Sequence, residues 1–491
     1  PIKSSAASDV YKRQLYMYKK INEINPFLNG QTAKDIDLSY IFGELIKDEV
    51  VYNVDTKSFW VYNSKFWEED IGNTFVKKKA KLFAKAMMKY VDKLENTYKN
   101  DKNLSKYATG IKKLGSYNSR ETLINDTKSN ISVDYTLFDQ KLNLFNCQNG
   151  TYNFETMEFQ SHNAKDYLTK VSNVIYNPNA TCKNWEKFIN QIMMGDEDKI
   201  DYLQRLLAYC ITSDTKEEQM YIFYGPSTRN GKSTLVETIS YLMGNTKGYS
   251  SNAQPDLIAK KKIDNRGPSE DIARLRGTRA VFMSEPPKEM TINSSIVKQF
   301  VGGDTVTARM LHKNSFEYVP QFKMIMNTNH LCTIDDATMF YGNKVVVIQF
   351  LKHFTEEEQN HNLKRELRDE NEISGIFNWI LKGHAMYWVL GMKAPAVIKA
   401  DTNMYARESD KISEFISEFF KQKRGNKIEG AEAYKKYELF CDDKGYIKET
   451  KQSFYKCLKV AGIQIDNGKV NGKSCRNRIN DYILIDKNVA L

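Results

Sequence analysis

The sequence predicts an α/β protein. A core with a central, mostly parallel sheet is preceded by a mixed, mostly helical α+β module and followed by a winged-helix-like domain. Three observations predict this. Between residues 219 and 350 the apolar runs "MYIFY", "RAVFMS", "FKMIM" and "KVVVIQF" each precede polar or glycine-containing residues, as buried strands of a parallel sheet do. The first run leads straight into a polar loop and a helix start, "GPSTRNGKSTLVETI". The C-terminal part reads as helical segments near 409–423, 430–444 and 451–461, closed by the glycine-turned hairpin "IQIDNGKVNGKSCRNRINDYILI".

Upstream of the core, "AKDIDLSYIFGELIKDEV" has helical apolar spacing. "VVYNVDTKSFWVYNSKFWEE" reads as short aromatic strands around polar turns, and residues 75–100 as a lysine-rich amphipathic helix. "KLNLFNCQNGTYNFETMEFQ" alternates and breaks at Asn149-Gly150, a tight-turn dipeptide. Trp185 to Thr212 predicts two helices split near Gly195-Asp196; residues 356–392 return to helix, and "GMKAPAVIKADTN" reads as a linker. At 491 residues the chain exceeds a single hydrophobic core. We place an N-terminal module at 15–184, the core at 185–395 and the C-terminal domain at 396–491. Residues 1–14, "PIKSSAASDVYKRQ", resemble a translated sequencing adapter and are set aside as a scar. On that reading the natural chain is cut near Leu15 and a further domain precedes it.

Hydrophobic residues at 41% and charged residues at 27% describe a soluble globular chain, with no apolar run near the length of a membrane span. Seven scattered cysteines without a CxxC pair suit a reducing cytosol and offer no zinc site. A net charge of +11 is compatible with a solvated basic surface or with a phosphate-backbone partner.

The loop after "MYIFY" is the most informative stretch. Backbone N–H groups of such a loop point inward and cradle phosphate oxygens, helped by the following helix N-terminus. Gly225, Pro226, Ser227, Thr228, Arg229, Asn230, Gly231, Lys232, Ser233 and Thr234 are the candidate nucleotide-binding residues. Lys232 would reach the β- and γ-phosphates of ATP and the Ser233 hydroxyl would ligate Mg²⁺. Five residues separate Gly225 from Gly231 where the usual spacing is about four; the loop is one residue longer, or Pro226 stands at the first glycine position. Such a loop needs an acid at a neighbouring strand end to handle Mg²⁺ and orient the attacking water. Glu285, after "RAVFMS", fills that position, with Ser284 before it. Asn329, at the end of "FKMIMNT", is placed to contact the γ-phosphate, with Asn327 in reserve on the same strand face.

In this order the motifs "GPSTRNGKST", "DIARLRGTRAVFMSE", "IVKQFVGGDTVTARMLHKNSFEYVPQFK" and "MNTNH" resemble the superfamily 3 helicases. The similarity is greatest to the phage and plasmid primase-helicase group, related to poxvirus-type replicative helicases. "LNLFNCQNGTYNFETMEFQSHNAKDYLTK" resembles that family's N-terminal module and "YARESDKISEFI" its C-terminal part. The resemblance implies an AAA+ P-loop core and an ATP-driven DNA helicase. It implies self-association into a ring, usually a hexamer, with each ATP and Mg²⁺ between two subunits. It also implies a channel hairpin bringing Arg309, His312 and Lys313 to single-stranded or forked DNA. Where the family places an arginine that reaches a neighbour's γ-phosphate, this chain has Lys344, which carries charge but lacks the planar fork. Lys344 serves as that cation, or Arg279 or Arg309 replaces it.

Lys260, Lys261, Lys262 and Arg266 form a further basic cluster, and Lys469, Lys473, Arg476 and Arg478 lie in the terminal hairpin, where a wing would meet a phosphate backbone. Trp60, Trp67 and Trp185 read as core residues rather than base-stacking platforms. An ATP-switched initiator or loader with weak unwinding is the alternative to a motor. Residues 15–180 contain no constellation we would assign to primer synthesis; a primase domain or protein is expected upstream or as a partner.

Overall fold

The computed structural model describes residues 2–485 except 245–246, 261–269, 288–289, 310, 312–314, 331, 337, 410, 445 and 447. Two compact units divide between Val171 and Ser172.

The first unit opens with α1 (Ile2–Ile24), which runs without a break through the adapter-like residues, and α2 (Asp35–Ile46). The meander β1 (Val50–Asn53), β2 (Ser58–Tyr62) and β3 (Trp67–Glu69) leads into α3 (Thr74–Thr97), α4 (Lys102–Lys112) and α5 (Tyr117–Asn130). β4 (Ser132–Val133) returns parallel to β1, giving the order β3-β2-β1-β4. The strands β5 (Leu144–Asn146), β6 (Thr151–Asn153) and β7 (Glu158–Gln160) form a second antiparallel sheet, turning at Asn149-Gly150 as the dipeptide predicts. The predicted lysine-rich helix is α3. It buries Val76, Ala80, Phe83, Met87, Tyr90 and Leu94 at three- and four-residue spacing and leaves its lysine face outward. The Asp70 carboxylate starts it, accepting the N–H groups of Phe75 and Val76 at 3.0 Å.

The second unit begins with α6 (Lys183–Ile192) and α7 (Glu197–Ile211). They split where predicted because Gly195 adopts a φ of +73° and the Asp196 side chain accepts the Lys199 N–H at 3.1 Å. The core then alternates β8 (Met220–Tyr224), α8 (Lys232–Met243), β9 (Ser250–Ala253), α9 (Glu270–Ala273), β10 (Ala280–Ser284), β11 (Thr291–Ile292) and α10 (Ser294–Val301). It continues with β12 (Val306–Arg309), β13 (Ser315–Tyr318), β14 (Lys323–Thr328), β15 (Thr333–Ile334), α11 (Thr338–Tyr341) and β16 (Val345–Gln349). Five strands form one wholly parallel sheet, in the order β16-β8-β14-β10-β9. Numbered by appearance within the sheet, that order is 5-1-4-3-2. Alternate residues Met220, Ile222, Val281, Met283, Met324, Met326, Val345 and Val347 share one core with Val297 and Phe300. The four predicted strands are present. The fifth, β9, has the sequence SSNA; as the outermost strand it has no need of an apolar run.

After β16 come α12 (Leu363–Glu366) and α13 (Glu370–Leu390), so the helix expected over 356–392 starts later than predicted. The expected linker is a correction: Ala396–Ser409 is a helix, α14. β16 is an edge strand, and α14 covers it. The N–H groups of Val347 and Gln349 donate to Thr402 Oγ1 at 3.0 Å and Asp401 Oδ2 at 3.1 Å. Proline before the helix and apolar positions at Ile398 and Tyr405 were the available signals.

The chain closes with α15 (Lys411–Phe419), β17 (Phe420–Ile428), α16 (Gly430–Lys444), α17 (Lys451–Val460), β18 (Ile465–Val470) and β19 (Lys473–Leu484). The hairpin β18–β19 is as predicted, turning at Asn471-Gly472 with φ of +47° and +81°. The helix predicted through 423 instead ends at Phe419, and the following residues join the hairpin as β17 in the order β17-β19-β18. Phe415, Tyr437, Phe440 and Phe454 fill the core between helices and sheet. No helix among the described residues is long and apolar enough to cross a membrane.

Candidate functional site

Because all five strands run the same way, their carboxyl ends lie along one edge of the sheet, where open α/β folds bind ligands. Three chain segments converge there: the loop after β8, Glu285 after β10, and Asn327 to Asn329 at the end of β14. β8 and β10 are not neighbours; β14 lies between them.

Gly225 and Gly231 are required by geometry. A Cβ at Gly225 would lie 2.3 Å from Asn230 Nδ2, 2.6 Å from Lys232 Nζ and 2.9 Å from the Phe350 carbonyl. Gly231 has a φ of +85°, and its Cβ would strike Ile192 at 2.4 Å. Arg229 adopts a φ of +56°, completing the sharp turn into α8. Asn230 braces the loop from within, donating from Nδ2 to the Ser227 carbonyl at 2.5 Å and accepting the Lys232 N–H at 3.4 Å. Pro226, Thr228, Arg229 and Ser233 are exposed, and Ser227 and Thr234 half-buried.

Lys232, the first residue of α8, is only 3% exposed, yet its ammonium faces the loop. Nζ donates to Asn329 Oδ1 at 2.7 Å and to the Gly225 carbonyl at 3.3 Å. Burial pushes its pKa down to about 8, and the Glu285 carboxylate acts against that shift. Glu285 is exposed, has a φ of +51°, and is held by its N–H donating to the Asn327 carbonyl at 2.9 Å. The structure thus groups Lys232, Asn329 and Glu285 around the loop mouth.

Two clefts flank the start of α8. One, about 460 Å³, is lined by Ser233, Ser284, Asn327 and Asn252 together with Arg368. The other, about 390 Å³, is lined by Phe188, Arg229, Thr234 and Phe354. Sequence reasoning missed Arg368, and also the segment after β16. There His353 Nδ1 meets the Thr228 carbonyl at 2.9 Å and the Phe354 N–H donates to Arg229 O at 2.9 Å, clamping the loop. No local motif marks these residues.

Other predicted residues lie elsewhere. Lys344 precedes β16, at the opposite edge of the sheet from the loop, where its ammonium pairs with Glu218. Arg279 is 4% exposed and donates to the Ile211 carbonyl at 2.8 Å, so it is a packing residue and not the outward cation considered above. Arg309 is exposed at the end of β12, and β12–β13 is an antiparallel hairpin as the resemblance implies. His312 and Lys313, like Lys261, Lys262 and Arg266, lie outside the described residues. Lys260 pairs with Asp335 at 3.4 Å. Lys469, Lys473 and Arg476 are exposed, whereas Arg478 is held by Asp466 through two bonds of 2.9 Å. Trp67 and Trp185 are buried, and Trp60 packs against Phe138 at 4.8 Å.

A glycine-bounded loop and a buried lysine thus lie at the carboxyl edge of a parallel sheet, with an acid and an amide from two further strands beside them. Family models match three stretches of the chain: "D5 N terminal like" over residues 39–194, a family of unknown function (DUF5906) over 223–339, and "Poxvirus D5 protein-like" over 407–485. These matches, and the helicase and primase names of the relatives below, are consistent with a primase-helicase family member. The chain is 26% identical over 376 residues to "Putative helicase L207/L206" of Acanthamoeba polyphaga mimivirus, covering 72% of this chain and 38% of that protein. It is 23% identical to "Putative helicase 121R" of Invertebrate iridescent virus 3, covering 48% and 25%, and 24% identical to "Putative primase C962R" of African swine fever virus, covering 40% and 21%. The chain therefore spans well under half the length of these relatives. The apo structure of the NrS-1 C-terminal region is similar over 89% of this chain and 97% of that one, at 12% identity and a TM-score of 0.45.

Proposed function

We propose that this chain is the motor part of an ATP-dependent DNA helicase, hydrolysing ATP with Mg²⁺ at interfaces between copies of itself and moving along DNA. The observation that carries this reading is the Lys232 ammonium, buried at the loop mouth on Asn329 and in the field of Glu285. The 5-1-4-3-2 parallel sheet supports an AAA+ core, and the helices with a three-stranded sheet at the C-terminus support a winged-helix domain. The relatives named as helicases and primases support DNA as the partner.

The residues present fit a nucleotide triphosphate. The loop excludes any side chain at Gly225 and Gly231, so only backbone lies there beside a phosphate chain. Bound ATP supplies the phosphoanhydride, and Mg²⁺ neutralises its charge. Lys232 exchanges its protein acceptors for phosphate oxygens, and Asn329, released from the lysine, is free to contact the terminal phosphate. Ser233, with Glu285, would hold the metal, and Glu285 orients water. The cleft bordered by Phe188 and Phe354, and otherwise lined mostly by polar side chains, is the space open to the base. Lys344, at the far sheet edge, serves only a neighbouring copy, which is why the reading requires self-association into a ring.

The test is Glu285→Gln. It should retain nucleotide binding while DNA-stimulated phosphate release falls at least about a hundredfold. The wild type should separate a forked duplex. Wild-type hydrolysis without strand separation would instead favour an ATP-switched initiator, a reading that the Lys344–Glu218 pair supports by occupying the trans cation.

The lowered Lys232 pKa adds a pH expectation. A neutral amine cannot pair with phosphate, and bound phosphate raises the pKa again. Nucleotide affinity should be flat below about pH 8 and then weaken by up to about tenfold per pH unit, as read by fluorescent-nucleotide titration. Affinity unchanged to about pH 9.5 would show that Lys232 does not meet the phosphate.

A further inference from the structure

A second basic feature emerges only in the folded C-terminal domain. β17 carries Lys421, Lys423, Arg424 and Lys427, all exposed. Against β19 its register jumps: Gln422 pairs with Tyr482 and Lys427 with Asn480, so Lys423–Asn426 stand opposite Asp481 alone. The excess residues are expelled from the sheet as a wide bulge. Asp481 latches it, accepting the Gly425 N–H at 2.6 Å, and both residues take positive φ, +82° at Gly425 and +64° at Asp481. Bulges of this kind re-aim side chains away from the pleat. Among the described residues, Lys421, Lys423 and Arg424 enter no ion pair, while the nearby Arg478 is consumed by Asp466.

We propose that the β17 bulge is a contact for the phosphate backbone of duplex DNA, an inference that rests on the DNA-binding reading above. Charge complementarity selects a polyanion. Single strands are usually held by stacking their bases on aromatic rings. The exposed bulge carries none, and its neighbours Phe420 and Tyr482 pack on each other at 5.7 Å. A surface with cations and no stacking platform suits a polymer whose bases are already paired. Lys473, at the start of β19, lies eight residues from Asp481, roughly 27 Å along an extended strand. Left-handed residues at Asn477 and Asp481 make that an upper bound, and the bulge and the hairpin turn are separate basic points on one sheet.

The experiment measures binding of the full chain to a labelled duplex of about 24 base pairs and to the matching single strand across a salt series, for wild type, Lys421→Gln/Lys423→Gln/Arg424→Gln and Asp481→Ala. Thermal melting confirms that each variant is folded. The triple variant should bind duplex at least about tenfold more weakly near 0.15 M salt, with its log–log salt slope reduced by about 3. Asp481→Ala keeps every cation but frees the bulge; it should weaken duplex binding by about threefold with the salt slope unchanged. A folded triple variant with wild-type affinity and slope would overturn the proposal while leaving DNA binding elsewhere intact. A loss confined to the single strand would also overturn it. Wild-type protein that binds neither probe would remove the DNA reading itself, and the bulge contact with it.

Discussion

Lys232→Ala should abolish DNA-stimulated ATP hydrolysis, to at most about a thousandth of the wild-type rate, while the protein stays folded. The loss is large because the lysine contributes a desolvated positive charge at the point where phosphate charge would develop. The fold survives because the side chain is a net cost to the empty protein. Its ammonium is buried, with its pKa pushed down to about 8, and among the described residues its acceptors are the Asn329 amide oxygen and the Gly225 carbonyl. Truncation relieves that desolvation, and Asn329 is close enough to the loop mouth to find solvent. Melting within a few degrees of wild type, together with lost phosphate release, is the expected pair of results. Lys232→Arg should be nearly as inactive, since a planar guanidinium needs room that Gly225 and Asn230 deny it. Equal hydrolysis in wild type and Lys232→Ala would end the nucleotide reading.

Asp401→Ala should destabilise the second unit by about 3–5 kcal/mol, seen as a lower midpoint in chemical denaturation. Asp401 Oδ2 accepts both the Lys199 ammonium at 2.7 Å and the Gln349 N–H at 3.1 Å, tying α14 to α7 and to the edge of the sheet. All three partners are buried; Lys199 is 7% exposed and Asp401 8%. Removing the carboxylate strands a cation and an edge-strand donor out of water at once, which costs far more than the pair itself is worth. The paired replacement Lys199→Met/Asp401→Leu should recover most of the loss, because it removes the stranded charge and leaves only one unmet N–H. A change below about 0.5 kcal/mol in Asp401→Ala would mean that 396–409 is the loose connection its composition suggests.

These two residues also mark where sequence reading succeeds and fails. Lys232 was legible: five apolar residues, a glycine-bounded loop and a helix start are consecutive, and each step is local chemistry. The central strands β8, β14 and β16 were legible because burial on both faces demands unbroken apolar runs. β9 was not, since an edge strand of serine, serine, asparagine and alanine carries no periodicity to read. β17 was hidden in the same way. Its run of Lys, Gln and Arg has no apolar alternation to read, and only pairing with β19 makes it a strand. Asp401 sits in a stretch with proline and glycine before it, which resembles a linker until α14 is placed against β16.

The sequence by itself determined the elements that arise within about five to fifteen residues: the phosphate-type loop, the buried strands, the helix break at Gly195-Asp196, and the terminal hairpin. Tertiary structure alone decided that β14 lies between β8 and β10, that Lys232 rests on Asn329, and that Lys344 faces the other way. The reason is the range of the interactions. Turn chemistry and hydrophobic period act between near neighbours, whereas Lys232 and Asn329 stand 97 residues apart and Lys199 and Asp401 202 apart. Only the packing of the whole sheet brings such pairs together.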